Sequence, residues 1–195
     1  MTLTRALLPA LLACALCAAA YADAPAGSAH YQLDPAKSTL EFAFEQAGAQ
    51  NKGRFRRFTV DFEYAAASGA PSRLEVTVDM NSLDSGDGER DDTLKSADLF
   101  EVKKFPQAHF LATQFSKTAS GYEALGKLTI RNVTRDARVP FTFRSASEGG
   151  ATVGYLSGKT QLQRLDYGVG QGDWKDTSQV GNAVTVSYAL RLTAH

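Results

Sequence analysis

The sequence has few of the residues on which metal and thiol chemistry depend. Its 195 residues include only 2 cysteines and 3 histidines. His30, His109 and His195 are too far apart along the chain to act as ligands from one shared element. The 21 basic and 21 acidic residues cancel, so no strong field attracts nucleic acid or an anionic membrane surface. We therefore expect neither a His/Cys metal enzyme nor a nucleic-acid-binding protein.

Several motifs of enzyme chemistry are missing as well. The sequence has no Gly-x-Ser-x-Gly elbow, no Walker loop and no dinucleotide fingerprint. Glu89, Asp91 and Asp92 lie where a helix is predicted to begin, and the helix dipole explains acidic residues there. The sequence thus predicts no catalytic residue, no metal site and no cofactor other than a bound lipid. An enzyme that uses His109 and Asp91 in a ligand pocket stays an alternative.

The one long apolar run lies at the N-terminus. Arg5 precedes it, residues 6–20 are mostly leucine and alanine, and residues 20–22 have the small-x-small pattern that signal peptidase recognises. The run is shorter than the roughly 20 residues that a membrane-spanning helix needs. We predict a cleaved signal peptide over residues 1–22 and a mature domain over residues 23–195 without a transmembrane segment.

Both cysteines lie inside the predicted signal. Cleavage after Ala22 would remove Cys14 and Cys17, so the mature chain would contain neither a disulfide nor a reactive thiol. A lipoprotein signal, with Cys14 acylated, is the alternative, because the residues before Cys14 partly resemble a lipobox.

After a small, polar leader at residues 23–29, apolar and polar residues alternate along most of the chain. The clearest apolar faces are Leu40, Phe42 and Phe44; Phe58, Val60, Phe62 and Tyr64; Leu74, Val76, Val78 and Met80; and Val184, Val186, Tyr188, Leu190 and Leu192. Such alternation is typical of antiparallel strands with one buried face. Short Gly- and Ser-rich connections predict hairpins. We predict an all-β fold of about eight antiparallel strands, either a closed barrel around one small ligand or a two-sheet sandwich.

One segment departs from this alternation. Residues 88–97 read as a short helix, with acidic residues in the first half and Lys95 near the end. Residues 99–106 contain a small apolar cluster that we expect to dock against a barrel mouth or sheet edge.

Six motifs in one order resemble the YceI-like family over residues 30–193. They are SLDSG (82–86), RDDTLKSADLF (90–100), KFPQAHF (104–110), GKLTI (126–130), RLDYGVG (164–170) and VGNAVT (180–185). The resemblance implies a periplasmic, lipocalin-like, closed antiparallel β-barrel that holds a polyisoprenoid or another long-chain amphiphile. The chain departs from the family where Arg131-Asn132 replace His-Gly and Arg135-Asp136 replace Lys-Pro, so head-group contacts can differ there.

The resemblance and the alternation together predict the binding residues. The predicted apolar lining is Phe42, Phe44, Phe58, Phe62, Val76, Val78, Met80, Phe105, Phe110, Leu128, Phe141 and Tyr155. The predicted head-group rim is Arg56, Arg90 and His109.

We interpret the chain as a non-catalytic periplasmic carrier of one long-chain isoprenoid or fatty amphiphile. The alternatives are an accessory protein of a quinone-linked membrane redox system, with a quinone-like lipid in the pocket, and a β-sandwich adhesion module with a filled core. A homodimer stays open as the oligomeric state.

Overall fold

The computed structural model describes residues 28–195, which form eleven β-strands and one α-helix. The strands are β1 (Ser28–Leu33), β2 (Thr39–Gln46), β3 (Ala49–Phe55), β4 (Phe58–Ala65), β5 (Ala70–Asp79), β6 (Leu83–Asp84), β7 (Gln107–Thr118), β8 (Gly121–Ile130), β9 (Val133–Glu148), β10 (Ala151–Gln163) and β11 (Val180–Ala194), and the helix α1 is Gly88–Lys95. Short 3-10 helices lie at Pro35–Lys37, Met80–Ser82, Arg164–Tyr167 and Gly172–Lys175. The predicted signal peptide lies outside the described residues.

Eight long strands close into one antiparallel barrel. Three of these long strands are interrupted, and each is made of two consecutive β-strands: β1 with β2, β3 with β4, and β5 with β6. The other five are β7 to β11. The hydrogen-bonded order β1-β4-β5-β7-β8-β9-β10-β11 returns to β1 through the pairing of Tyr31 with Ala194. On the same edge of β11, Val184 pairs with Phe44 of β2. The predicted closed barrel is therefore confirmed, and the two-sheet sandwich is wrong, because β11 pairs with the first strand.

The alternation of the sequence determines which face of each strand turns inward. In β11, Val184, Val186 and Tyr188 border the interior, while Thr185 and Ser187 between them lie on the opposite face. The polar leader predicted at residues 23–29 is too long, because β1 begins at Ser28. Ser28 already pairs with Ala65 of β4, since a backbone of small residues can join a sheet edge without any apolar pattern.

Aromatic side chains fill the end of the barrel where the described chain begins. Phe62 is completely buried. The centroid of its ring lies 4.8 Å from that of Phe143, 5.9 Å from that of Phe141 and 6.2 Å from that of Tyr31. We call these four residues the aromatic plug. Because the plug occupies the interior at this end, no space for a ligand remains around Phe62.

Two long connections cover the opposite end. Residues 85–106, which include α1, join β6 to β7, and residues 164–179 join β10 to β11. Leu99 of the first connection is 4% exposed and packs with Tyr167 and Val169 of the second. The apolar cluster predicted after the helix therefore docks over this end of the barrel and holds the two connections together.

Side-chain caps fix the position of α1. The Asp87 carboxylate accepts a hydrogen bond from the Arg90 backbone N–H at 3.0 Å, which is an N-cap. The Asp91 carboxylate accepts one from the Ser85 backbone N–H at 2.8 Å and so ties the helix to the preceding turn. The helix ends at Lys95, two residues before the predicted end, because Ser96 adopts an extended conformation.

Candidate functional site

The half of the barrel beneath the two connections is hollow. Its cavity has a volume of about 500 Å³, within the range of roughly 300–1,000 Å³ that is usual for small-molecule sites. The strands, together with Met80 of the 3-10 helix after β5, supply an apolar wall of Leu40, Phe42, Phe44, Phe55, Phe58, Val60, Leu74, Val76, Val78, Met80, Ala108, Phe110, Leu128, Ile130, Val139, Leu156, Leu162, Val180, Val184, Val186 and Leu190. The helix and the connections add Leu94, Leu99, Phe100, Tyr167, Val169 and Trp174.

Polar groups are fewer than apolar ones along this wall, and the largest group of them lies on α1 and its N-cap. Asp87, Glu89, Arg90 and Thr93 border the cavity from the helix and its cap. Burial raises the pKa of the Tyr188 hydroxyl, which lines the strand wall and donates a hydrogen bond to the Pro140 carbonyl. The site is thus an apolar chamber with a minority of polar groups, some on α1 and some on the strands.

Eight of the twelve residues that were predicted to line the ligand site do border this cavity. They are Phe42, Phe44, Phe58, Val76, Val78, Met80, Phe110 and Leu128. Seven of them lie on the inward faces of strands, and Met80 lies in the 3-10 helix that follows β5. All eight are in the half of the barrel that the aromatic plug does not reach. Their contact with a ligand stays a prediction.

Two predicted lining residues lie in the aromatic plug instead. Phe62 shares an inward face with Phe58, and Phe141 is 3% exposed, but neither borders the cavity. The reason is their position along the barrel axis. Both lie in the end that aromatic rings fill, which alternation within one strand does not reveal.

Two more predicted lining residues lie outside the interior. Tyr155 has the outward orientation on β10, since its neighbour Leu156 points inward. The Tyr155 ring packs under the Arg144 guanidinium at 3.8 Å, and its hydroxyl donates to Glu148. Phe105 precedes β7 and packs against the Lys104 ammonium, 5.2 Å from its ring centroid.

The predicted head-group rim does not form one group. Arg90 borders the cavity and pairs with Asp87 at 3.4 Å. Arg56 lies away from it and pairs with Asp84, with its side chain 55% exposed. His109 borders the cavity, but its imidazole Nε2 lies 2.7 Å from Glu75 Oε1, and both residues occupy the outward positions of β7 and β5.

The turn that departs from the family pattern ties the two connections together. Arg131, between β8 and β9, has a positive φ of 55°. Its guanidinium donates to the carbonyls of Leu99 and Gly168 and to the Glu101 carboxylate, the last at 2.7 Å. This arginine therefore acts on the cover of the cavity from outside and does not line the wall.

Arg164 lines the cavity wall but is absent from the predicted lining and rim. Arg164 borders the cavity at the end of β10 and is 6% exposed. A signal for it was present, because Leu156, Thr160 and Leu162 precede it on the same inward face. A cation that continues an inward face is exceptional, since buried charge is costly.

The two side chains of the enzyme alternative, Asp91 and His109, each have a hydrogen-bond partner. The Asp91 carboxylate accepts a hydrogen bond from the Ser85 N–H, and the His109 imidazole is hydrogen-bonded to the Glu75 carboxylate. Among residues 28–195, no three His, Cys, Asp or Glu side chains are grouped to hold a metal ion. Over the same residues, no helix has the length and apolar character to cross a membrane.

Comparison with known proteins agrees with this architecture. The chain matches the YceI-like domain over residues 31–192. It is 32% identical to a UPF0312 protein of Vibrio vulnificus (strain YJ016) over 151 residues, which cover 74% of this chain and 79% of the relative.

Solved structures have the same fold. The crystal structure of BcnA from Burkholderia cenocepacia is 31% identical, with a TM-score of 0.72 that covers 82% of this chain and 98% of that one. A polyisoprenoid binding domain from Saccharophagus degradans, implicated in plant cell wall breakdown, is 15% identical, with a TM-score of 0.62 over 85% of this chain and 98% of that one. The closed barrel, its family match and these relatives lead to one conclusion: the chain belongs to the YceI-like domain family.

Proposed function

We propose that this protein is a non-catalytic carrier that holds one polyisoprenoid or other long-chain amphiphile inside its barrel, and that it works in the periplasm. The observation that carries the proposal is the cavity of about 500 Å³ with an almost wholly apolar strand wall. Such a wall offers an alkyl or isoprenyl chain an environment without water.

The size of the cavity limits the chain that it can enclose. At the ~30 Å³ that a water-sized group occupies in a liquid, about 500 Å³ holds roughly 16 groups of methylene size. That corresponds to about three isoprene units or a C16 chain. A longer chain would not fit wholly inside this cavity.

The energetics favour recognition of the tail. Burial of one methylene contributes about 0.8 kcal/mol, so an isoprene unit contributes roughly 3–4 kcal/mol before ordering costs. An exposed ion pair with a head group adds only about 0–1 kcal/mol. The apolar wall therefore dominates affinity, and exposed arginines such as Arg56 contribute little.

A non-catalytic role is supported by the state of the two groups that the enzyme alternative requires. Asp91 accepts a hydrogen bond from the Ser85 N–H in the turn before α1, and His109 pairs with Glu75 on the outer face. The two side chains do not meet as an acid and a base inside the chamber. Similarity in fold to the Saccharophagus polyisoprenoid binding domain also supports a binding role.

Export is the second part of the proposal, and it depends on residues 1–22. We expect the mature protein to begin at Asp23 and to be recovered from the periplasmic fraction of an expressing bacterium. The intact mass of the purified protein checks this. A mass that corresponds to diacylated Cys14 would contradict cleavage after Ala22.

The binding proposal is tested by purification without detergent, followed by organic extraction and mass spectrometry. We expect a long-chain lipid in about stoichiometric amount, and its mass distinguishes an isoprenoid, a fatty chain and a quinone. Delipidated protein should bind added geranylgeraniol and hexadecanol and should melt at a higher temperature with them. Absence of extracted lipid together with absence of binding would contradict the proposal.

A further inference from the structure

The cavity wall contains one deeply buried cation. Arg164 follows the apolar inward face of β10 and borders the chamber beneath the 164–179 connection, with 6% of its surface exposed. Arginine remains protonated at this position in any ordinary buffer. The chamber therefore has a positive charge in its wall beneath the 164–179 connection, in addition to Asp87, Glu89 and Arg90 on the side of α1.

The partners of this guanidinium are all neutral. Its Nε donates to the Gly181 carbonyl at 3.0 Å, its Nη1 to the Val169 carbonyl at 2.9 Å and its Nη2 to the Val180 carbonyl at 2.8 Å. Burial lowers the pKa of Arg164, and no neighbouring carboxylate among the described residues offsets that effect. Buried charges are ordinarily paired with an opposite charge.

The guanidinium also keeps unused donors. Arginine has five N–H groups, and the three hydrogen bonds above leave one on Nη1 and one on Nη2. Gly170, at φ +120°, faces Nη1 so closely that a β-carbon there would overlap it. The backbone is thus built around the guanidinium and holds it in one place.

We propose that Arg164 is an anion subsite of the cavity, which binds the acidic head group of an amphiphile while the tail lies along the apolar wall. This proposal rests on the carrier function above and narrows its ligand class to chains with a carboxylate or phosphate end. Two donors on one guanidinium match two oxygens of either group. The bound head group would supply a negative partner to Arg164, whose hydrogen bonds among the described residues go to backbone carbonyls.

A purely structural role predicts something different. The three carbonyl contacts alone could fix the 164–179 connection, and Arg164 would then support every ligand equally. The two roles separate when ligands of equal tail and different head are compared. The test uses palmitate with hexadecanol for a carboxylate head, and geranylgeranyl phosphate with geranylgeraniol for a phosphate head.

Affinities of all four ligands are measured at pH 8 for the delipidated wild type and for the Arg164→Gln and Arg164→Lys variants. Arg138→Gln is the matched control, since Arg138 is exposed and pairs with Glu123 on the outer surface. We expect the wild type and the control to prefer at least one acidic ligand over its alcohol by about tenfold or more. Arg164→Gln should lose that preference while its alcohol affinity changes less than about threefold, and Arg164→Lys should keep part of it. The pair that shows the preference identifies the head as carboxylate or phosphate.

Equal wild-type affinity for acid and alcohol in both pairs would overturn the anion subsite while leaving the carrier function intact. A parallel loss of acid and alcohol binding in a folded Arg164→Gln variant would assign Arg164 a structural role and also overturn the subsite. If Arg164→Gln does not fold, the test uses the preference of the wild type for acid over alcohol and the change of that preference in Arg164→Lys. Failure of the wild type to bind any of the four ligands would instead contradict the carrier function.

Discussion

Replacement of Val186 by aspartate places a carboxylate on the wall of the cavity. Val186 lies in β11 between Phe42 of β2 and Thr160 of β10, and all three border the chamber. In the empty protein, water in the cavity can solvate the new carboxylate, so the barrel should still fold. A bound tail would remove that water and leave the carboxylate against hydrocarbon.

The size of the effect follows from the cost of that desolvation. A buried polar group without a hydrogen-bond partner costs about 1–3 kcal/mol in proteins, and an ionised carboxylate costs more. Since 1.4 kcal/mol corresponds to a factor of ten in affinity, Val186→Asp should weaken binding by about 100-fold or more.

Ser187→Asp is the matched control, with the same charge one residue further on and on the opposite face. Ser187 is in register with Glu41 and Lys159, so its environment is polar. We expect its affinity to stay within about twofold of wild type. The assay is titration of delipidated protein with hexadecanol, whose neutral head avoids direct repulsion, together with a melting curve of the empty protein. Equal affinities of the two variants would refute the assignment of this face to the binding wall.

Three other changes test the surrounding structure. Phe62→Ala removes the centre of the aromatic plug and should lower the free energy of unfolding by about 3–5 kcal/mol in urea denaturation; a loss below about 1 kcal/mol would contradict a filled end. Asp91→Ala removes the acceptor for the Ser85 N–H and should cost about 0.5–2 kcal/mol without loss of hexadecanol binding, whereas lost binding at an unchanged melting temperature would place Asp91 in the site. Hydrogen bonds from His109, the larger effect, and from Arg73 lower the pKa of Glu75. The ionised Glu75 therefore stabilises the fold at pH values above the ordinary glutamate pKa, and this stabilisation is lost as the pH falls through the lowered pKa. His109→Ala should raise the carboxyl pKa of Glu75 toward its ordinary value in an NMR titration, and an unchanged pKa would show that the imidazole is not the cause.

The sequence predicts the barrel well because alternation is a local signal. The inward face of β11, including Val184 and Val186, follows from spacing alone. Closure of the barrel does not, since it depends on the pairing of β11 with β1 and β2 at the other end of the chain. The resemblance to a family supplied that part of the prediction.

Depth along the barrel is the property that local patterns do not encode. Phe58 and Phe62 lie on the same face of β4, yet only Phe58 borders the cavity. Phe62 is buried by rings from β1 and β9, which are distant in sequence. A prediction of the lining needs to know which end the aromatic residues fill.

Glycines explain the error at Tyr155. The inward positions of β10 include Gly154, where a β-carbon would lie 2.6 Å from the Phe143 ring. Because this inward position has no side chain, the pattern favours its large neighbour Tyr155 as the apolar member. The prediction therefore shifted by one residue and placed an outward side chain inside.

The most direct test of the carrier function is a crystal structure with a bound C16 alcohol that has bromine on its terminal carbon. The account predicts an anomalous bromine peak inside the barrel, among side chains such as Val76, Phe110 and Leu156, with the alkyl chain along the wall. A peak only on the outer surface, or a filled interior in a crystal of protein that has bound the alcohol in solution, would contradict it.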